Sequence, residues 1–174
     1  METRKPISHV TAGLLIAGIV IVLSMVTMLF THNAGNPGSG LFNYIIIIGG
    51  LIFFVNLYGK SNNYQLGFGD LFSYGFKATA VYTILFIGFL VLFALIFPDF
   101  KATQIEIART AMENQKGVSE EQAEQGMQMM NKYFWVFAIG GTTLMFVIIG
   151  AIGSLLGAMV TKKSPHNPFE QLPQ

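Results

Sequence analysis

Four runs of apolar residues constrain this chain more than any other feature: 10–31, 41–58, 71–97 and 133–160. Each meets or nearly meets the roughly 20 residues that cross about 30 Å of hydrocarbon as a helix. A soluble fold offers no place for segments so long and so uniformly apolar. In lipid every backbone N–H and C=O must find its partner within the segment, which makes the runs helices. Composition agrees: 52% of the 174 residues are hydrophobic and 11% are charged, against about a quarter charged in a soluble domain. The chain therefore reads as a single all-α membrane domain, residues 1–174, with four transmembrane helices.

The first run follows Arg4 and Lys5, as a signal peptide would. Its apolar part exceeds the roughly 7–15 residues of a signal core, and no small-x-small cleavage site follows, so it reads as a retained span. Pro98 stops the third run, because proline cannot continue a helix. Thr161, Lys162 and Lys163 stop the fourth. Orientation comes from Lys and Arg. One side collects Arg4, Lys5, Lys60, Lys77, Lys162 and Lys163; the other has Lys101, Arg109, Lys116 and Lys132 diluted among acids. The basic side faces the cytoplasm, so both termini are predicted inside. Tyr58, Tyr133, Phe134 and Trp135 read as interface markers.

The connection from Asn33 to Gly40 is rich in Gly, Asn and Pro and reads as a tight turn. Asp70 stands where the N-cap of the third span belongs. Residues 99–132 are the only soluble-looking stretch and read as an extracytoplasmic helical hairpin. Ile105, Ala108 and Met112 recur at helical spacing, and Glu106, Arg109, Glu113 and Lys116 alternate in sign at helical spacings. Gly117 fits a helix C-cap. Ser119 with Gln122 forms a capping box that opens the second arm, whose stripe of Ala123, Met127 and Met130 leads into the fourth span. Residues 164–174 hold three prolines and read as a flexible cytoplasmic tail. The two halves of the chain show no internal repeat, so an inverted-repeat transporter has no support.

No Asp, Glu, His or Arg lies inside the four runs. Proton-coupled transporters, ion channels and intramembrane proteases need such groups to carry charge or polarise water. The hydroxyls of Ser24, Thr27, Thr79, Tyr82, Thr83, Thr142, Thr143 and Ser154 can bond their own helix carbonyls or a neighbouring helix. Asn56 reads as an interhelical hydrogen-bond residue. Lys77 lies six residues past the start of the third run, about 9 Å along it. There its stem lets the ammonium snorkel to the interface. It is also a candidate contact for a lipid headgroup or another anion, aided by Lys60, Lys162 and Lys163. Gly150, Ser154 and Ala158, with Gly153 and Gly157, put small residues on one face of the fourth span, a candidate helix-packing interface within the chain or between copies. Methionines 25, 28, 127, 129 and 130 lie towards the outer side with His32; thioethers suit Cu(I), but Met also fills apolar gaps, and no metal or cofactor is expected. With no cysteine there is no disulfide, thiolate site or lipoprotein anchor. A net charge of +1 gives no reason to expect nucleic acid.

The stretch Gln65-Leu-Gly-Phe-Gly-Asp-Leu-Phe-Ser-Tyr-Gly-Phe-Lys77 opens the third span, and Phe97-Pro98-Asp99-Phe100 closes it. With Met112-Glu113-Asn114-Gln115 and Gly117-Val118-Ser119-Glu120-Glu121-Gln122, these residues resemble a bacterial family of small four-helix membrane proteins known only as a domain of unknown function. The resemblance covers nearly the whole chain. It implies the four-span topology and a multi-pass place in the inner membrane of Gram-negative bacteria, and it carries over no catalytic or binding residue. The expected role is non-enzymatic: an accessory or scaffold component of a membrane complex, with the lipid bilayer, a membrane protein or a second copy of the chain as partners. The outer hairpin and the small face of the fourth span are the expected contact surfaces. The alternative is a small oligomeric transporter or channel for lipid or a neutral solute, its path lined by Thr79, Thr83, Thr142 and Thr143. An enzyme acting on lipid would need a nucleophile and a base side by side, and no such pair stands out.

Overall fold

The computed structural model describes residues 6–30, 37–113 and 119–162. These form six helices: α1 (His9–Phe30), α2 (Pro37–Ser61), α3 (Phe68–Ile96), α4 (Phe100–Glu113), α5 (Glu120–Lys132) and α6 (Phe134–Val160). No strand occurs among the described residues. Four helices, α1, α2, α3 and α6, are long and apolar enough to cross a membrane. Their outward faces carry large apolar side chains bare of any cover: Leu95 is 73% exposed, Ile84 70% and Val136 68%. That surface would aggregate in water and is at home in lipid, so the chain is a multi-pass membrane protein.

The contacts fix the bundle's directions. Tyr74 bonds Ile7 and Gly13 lies on Val81, so α1 and α3 run parallel. Thr79 faces Gly150 and Gly75 faces Ser154, so α3 and α6 run antiparallel. Gly153 rests on Ile48 and Gly157 on Ile52, which makes α2 parallel to α6. α3 thus packs between α1 and α6, and α2 closes the bundle against α6 and α1. One end, here the basal end, holds the start of α1 and α3 and the finish of α2 and α6. The other carries α4 and α5 and is the hairpin end.

Local chemistry moves several boundaries. α2 starts at Pro37, so residues 37–40 belong to its first turn instead of a loop; proline suits this position because its missing N–H is unpaired there anyway. The rest of the predicted turn lies outside the described residues. The third helix starts at Phe68, with Gly67 as N-cap. Asp70 is therefore not the cap; it sits three residues in, and its carboxylate accepts from the Gly67 N–H at 3.2 Å. The predicted capping box does form: Gln122 N–H donates to Ser119 Oγ at 3.3 Å and Ser119 N–H to Gln122 Oε1 at 3.1 Å. Between α2 and α3 the chain reverses through Asn63 (φ 54°) and Tyr64 (φ 58°), while Tyr64 N–H donates to Gly59 O at 2.8 Å. Asparagine tolerates this left-handed conformation; tyrosine does so at a cost of order 1 kcal/mol. Arg4, Lys5, Lys163, Lys116, the Gly117 cap, His32 and the 164–174 tail lie outside the described residues.

Candidate functional site

The bundle interior is the first place to seek a site, and it is filled. Gly150 of α6 takes the side chain of Thr79, and no Cβ would fit between them. One turn towards the basal end, a Cβ on Gly75 would stand 2.7 Å from Ser154 Oγ and 2.9 Å from Val55, so α2, α3 and α6 meet there almost backbone to backbone. Without a hydrophobic drive between helices in lipid, such close approach supplies the dispersion contact that holds them. The five small residues Gly150, Gly153, Ser154, Gly157 and Ala158 are all buried inside one copy of the chain. Of the two packings open to this face, within the chain or between copies, the bundle uses the first: α2 and α3 occupy it.

The interior hydroxyls mostly bond their own helix. Thr79 Oγ1 donates to Gly75 O at 3.0 Å, Ser154 Oγ to Gly150 O at 2.6 Å, and Thr143 Oγ1 to Ile139 O at 2.7 Å. Tyr82, wholly buried, crosses from α3 to donate to Phe146 O of α6 at 3.1 Å. The Thr83 hydroxyl is buried with no well-aligned partner among the described residues, beside that of Tyr82. At the basal end Tyr74 donates to Ile7 O at 2.9 Å and stacks on Tyr58, ring centroids 4.0 Å apart. Tyr58 is half-buried near the basal end of α2, its ring packed on that of Tyr74. A further bond, Asn43 Nδ2 to Ser24 Oγ at 3.2 Å, ties α2 to α1. The four threonines of the supposed path do not line one: Thr79 is wedged against Gly150, while Thr142 sits in a separate recess at the hairpin end.

Other candidates separate as well. Lys77 is exposed on the outward face of α3, nine residues into the helix because α3 starts earlier than expected. Met127 is buried and Met130 lines the hairpin-end recess, whereas Met129 is 56% exposed and points away. The M-x-M-M run therefore does not converge on a point, and Met25 lies on the lipid face of α1. Asn56 makes no interhelical bond among the described residues; it lies in an outward groove of α2 with Gly49, Phe53 and Lys60.

The hairpin end is built differently. Leu90, Phe93, Phe100 and Phe134 form a small apolar cluster of their own, joining α3, α4 and α6. Phe93 and Phe100 meet edge to face at 5.6 Å, as Phe100 and Phe134 do at 6.4 Å. Lys101 Nζ donates to Asn131 O at 3.2 Å and lies 5.8 Å from the Phe134 ring, pinning α4 to α5. Farther out the arms pack on each other, Met112 lying against Gly126. α4 and α5 touch the bundle chiefly at their base, leaving a polar face on which Glu106, Arg109, Glu121, Gln122, Glu124, Gln125 and Gln128 are exposed. Glu106 and Arg109 stand 4.0 Å apart there, both well solvated. A recess of about 180 Å³ under the hairpin is lined by Leu90, Phe100, Gln104, Met130, Phe134 and Thr142, among others. Tyr133 and Trp135 are exposed beside it, as residues at a membrane surface would be, whereas Phe134, expected with them, is buried because its ring packs on Phe100.

Comparison with known proteins adds a family and no activity. The model of a family described as a protein of unknown function, DUF4199, matches residues 11–163. No curated protein and no solved structure matches the chain.

Proposed function

The chain belongs to the DUF4199 family of proteins of unknown function, and from that premise we propose that it is a non-enzymatic accessory or scaffold component of a membrane complex. The observation that carries the reading is the contrast between a bundle with its small-residue seams closed and a hairpin that rests on the bundle chiefly at its base. A hairpin serving the bundle's stability alone would bury more of itself. Here the exposed Glu and Gln side chains of α5 offer donors and acceptors to a partner outside the hydrocarbon. The distribution of lysine supports an orientation with both termini in the cytoplasm and the hairpin outside, and the family resemblance supports the inner membrane. The transporter reading is weaker, because Thr79 meets Gly150 with no room for a solute.

The test is purification of the natively expressed, C-terminally tagged chain in mild detergent, with mass spectrometry and a size measurement of what comes with it. A stoichiometric partner that is lost on Glu121→Lys with Glu124→Lys is the expected result. Turnover or solute flux by the purified chain alone would overturn the reading. A reporter fused after Gln174 tests orientation: an extracytoplasmic signal would reverse it.

A further inference from the structure

The outward face of α2 carries an unusual set of residues for a surface in lipid. Gly49, Phe53, Asn56 and Lys60 recur at intervals of four, three and four, so they stack along one side of the helix for about three turns. With Ile52 and Leu57 they line an open groove of about 450 Å³. A Cβ on Gly49 would meet nothing within 4 Å, so this glycine is not there for packing within the chain. The Asn56 amide is bonded by no described residue, and an amide left unpaired at the edge of hydrocarbon is costly. Lys60, one turn closer to the basal end, is exposed.

Charge decides the occupant. Thr161 of α6 rests on Gly59, which brings exposed Lys162 to the same rim as Lys60. Among the described residues the only acid at the basal end is Asp70, whose carboxylate is engaged by the Gly67 N–H. A second copy of the chain docking through this face, oriented the same way in the membrane, would bring these lysines towards their own counterparts. An anionic lipid meets every feature at once. We infer that the α2 groove binds a glycerophospholipid of net negative headgroup, its phosphate between the Lys60 ammonium and the Asn56 amide and one acyl chain laid along Gly49 and Phe53. Of the lysines that the sequence pointed to for a headgroup, Lys60 lines this groove, while Lys77 is exposed on the outward face of α3.

The experiment is native mass spectrometry of the full-length chain from mild non-ionic detergent, given phosphatidylglycerol or phosphatidylcholine with identical acyl chains. The wild-type chain is expected to retain phosphatidylglycerol over phosphatidylcholine by about fivefold for each lysine that contributes. Lys60→Gln should lower that preference by about fivefold and Lys77→Gln should leave it unchanged. Asn56→Leu should weaken retention of both lipids, because both offer a phosphate, and Gly49→Leu should do so by filling the chain's path. Circular dichroism confirms that each variant is folded. An unchanged preference in Lys60→Gln overturns the site, as does a lipid-free dimer that Asn56→Leu converts to a monomer.

Discussion

The basal end of the bundle joins its helices through glycine, serine and tyrosine, the hairpin end through phenylalanine. Basally, Gly75, Gly150 and Gly153 let helices approach until a Cβ has no room, and Tyr74 donates a hydrogen bond to Ile7 O in the segment leading into α1. At the hairpin end Gly88, Gly140 and Gly141 face open space, and Leu90, Phe93, Phe100 and Phe134 make a separate cluster. The difference follows from the solvent. Inside hydrocarbon, an apolar side chain gains nothing by leaving lipid for protein, so close backbone contact and interhelical hydrogen bonds hold the helices. Where the hairpin meets water, burying aromatic rings is again worth its usual price in free energy.

The comparison can be broken most directly at its tight end. Gly150→Leu should force α3 and α6 apart and destabilise the bundle by about 3 kcal/mol or more, read as loss of the cooperative thermal transition in detergent. Gly140→Ala, ten residues along the same helix, should be neutral or stabilising by up to about 1 kcal/mol. If both variants behaved alike, the two ends would not differ as described. Phe134→Ala should cost about 3 kcal/mol, since its ring is buried where the hairpin meets water. Its effect should appear as faster proteolysis within α4 and α5 while the bundle's thermal midpoint moves little; a fall of the whole transition would make the hairpin part of the bundle's cooperative unit. Ser119→Ala removes one half of the capping box and should cost about 1 kcal/mol, seen as faster hydrogen exchange at the start of α5 only. The smallest effect is expected from Tyr74→Phe, which removes the bond to Ile7 O: about 0.6 kcal/mol, the average for a side-chain hydrogen bond inside a membrane protein. A loss several times larger would mean that Tyr74 anchors the whole start of α1.

Much of the architecture could be read from the chain directly. The four spans, the Ser119–Gln122 box and the stripe of Ala123, Met127 and Met130 are local patterns, and each appears where its spacing predicts. Asp70 was misplaced because two residues near a helix start, Gly67 and Asp70, both satisfy the chemistry of capping, and only the backbone shows which one leaves the helix. Gly75 and Thr79 of α3 form a small-residue row opposite Gly150 and Ser154; spacing alone could have found that row, but not its partner. Asn56, expected to bond a neighbouring helix, lies in an outward groove for a similar reason. A polar residue near a helix end looks the same in sequence whether it turns inward to a neighbour or outward to lipid.

The order of residues along the chain is enough to place this protein in a membrane, to make it cross as helices, and to set a polar hairpin between the third span and the fourth. Hydrocarbon thickness and the need to satisfy every backbone polar group leave long apolar runs no other choice. Which faces meet follows from the packing alone. The small face of α6 closes on α2 and α3, Tyr58 stacks on Tyr74, and the groove of Gly49, Asn56 and Lys60 is left to the lipid. Inside a bilayer, protein and lipid tails are nearly equal solvents for an apolar side chain, so hydrophobicity cannot mark the inner face of a helix, and fit between particular backbones decides it.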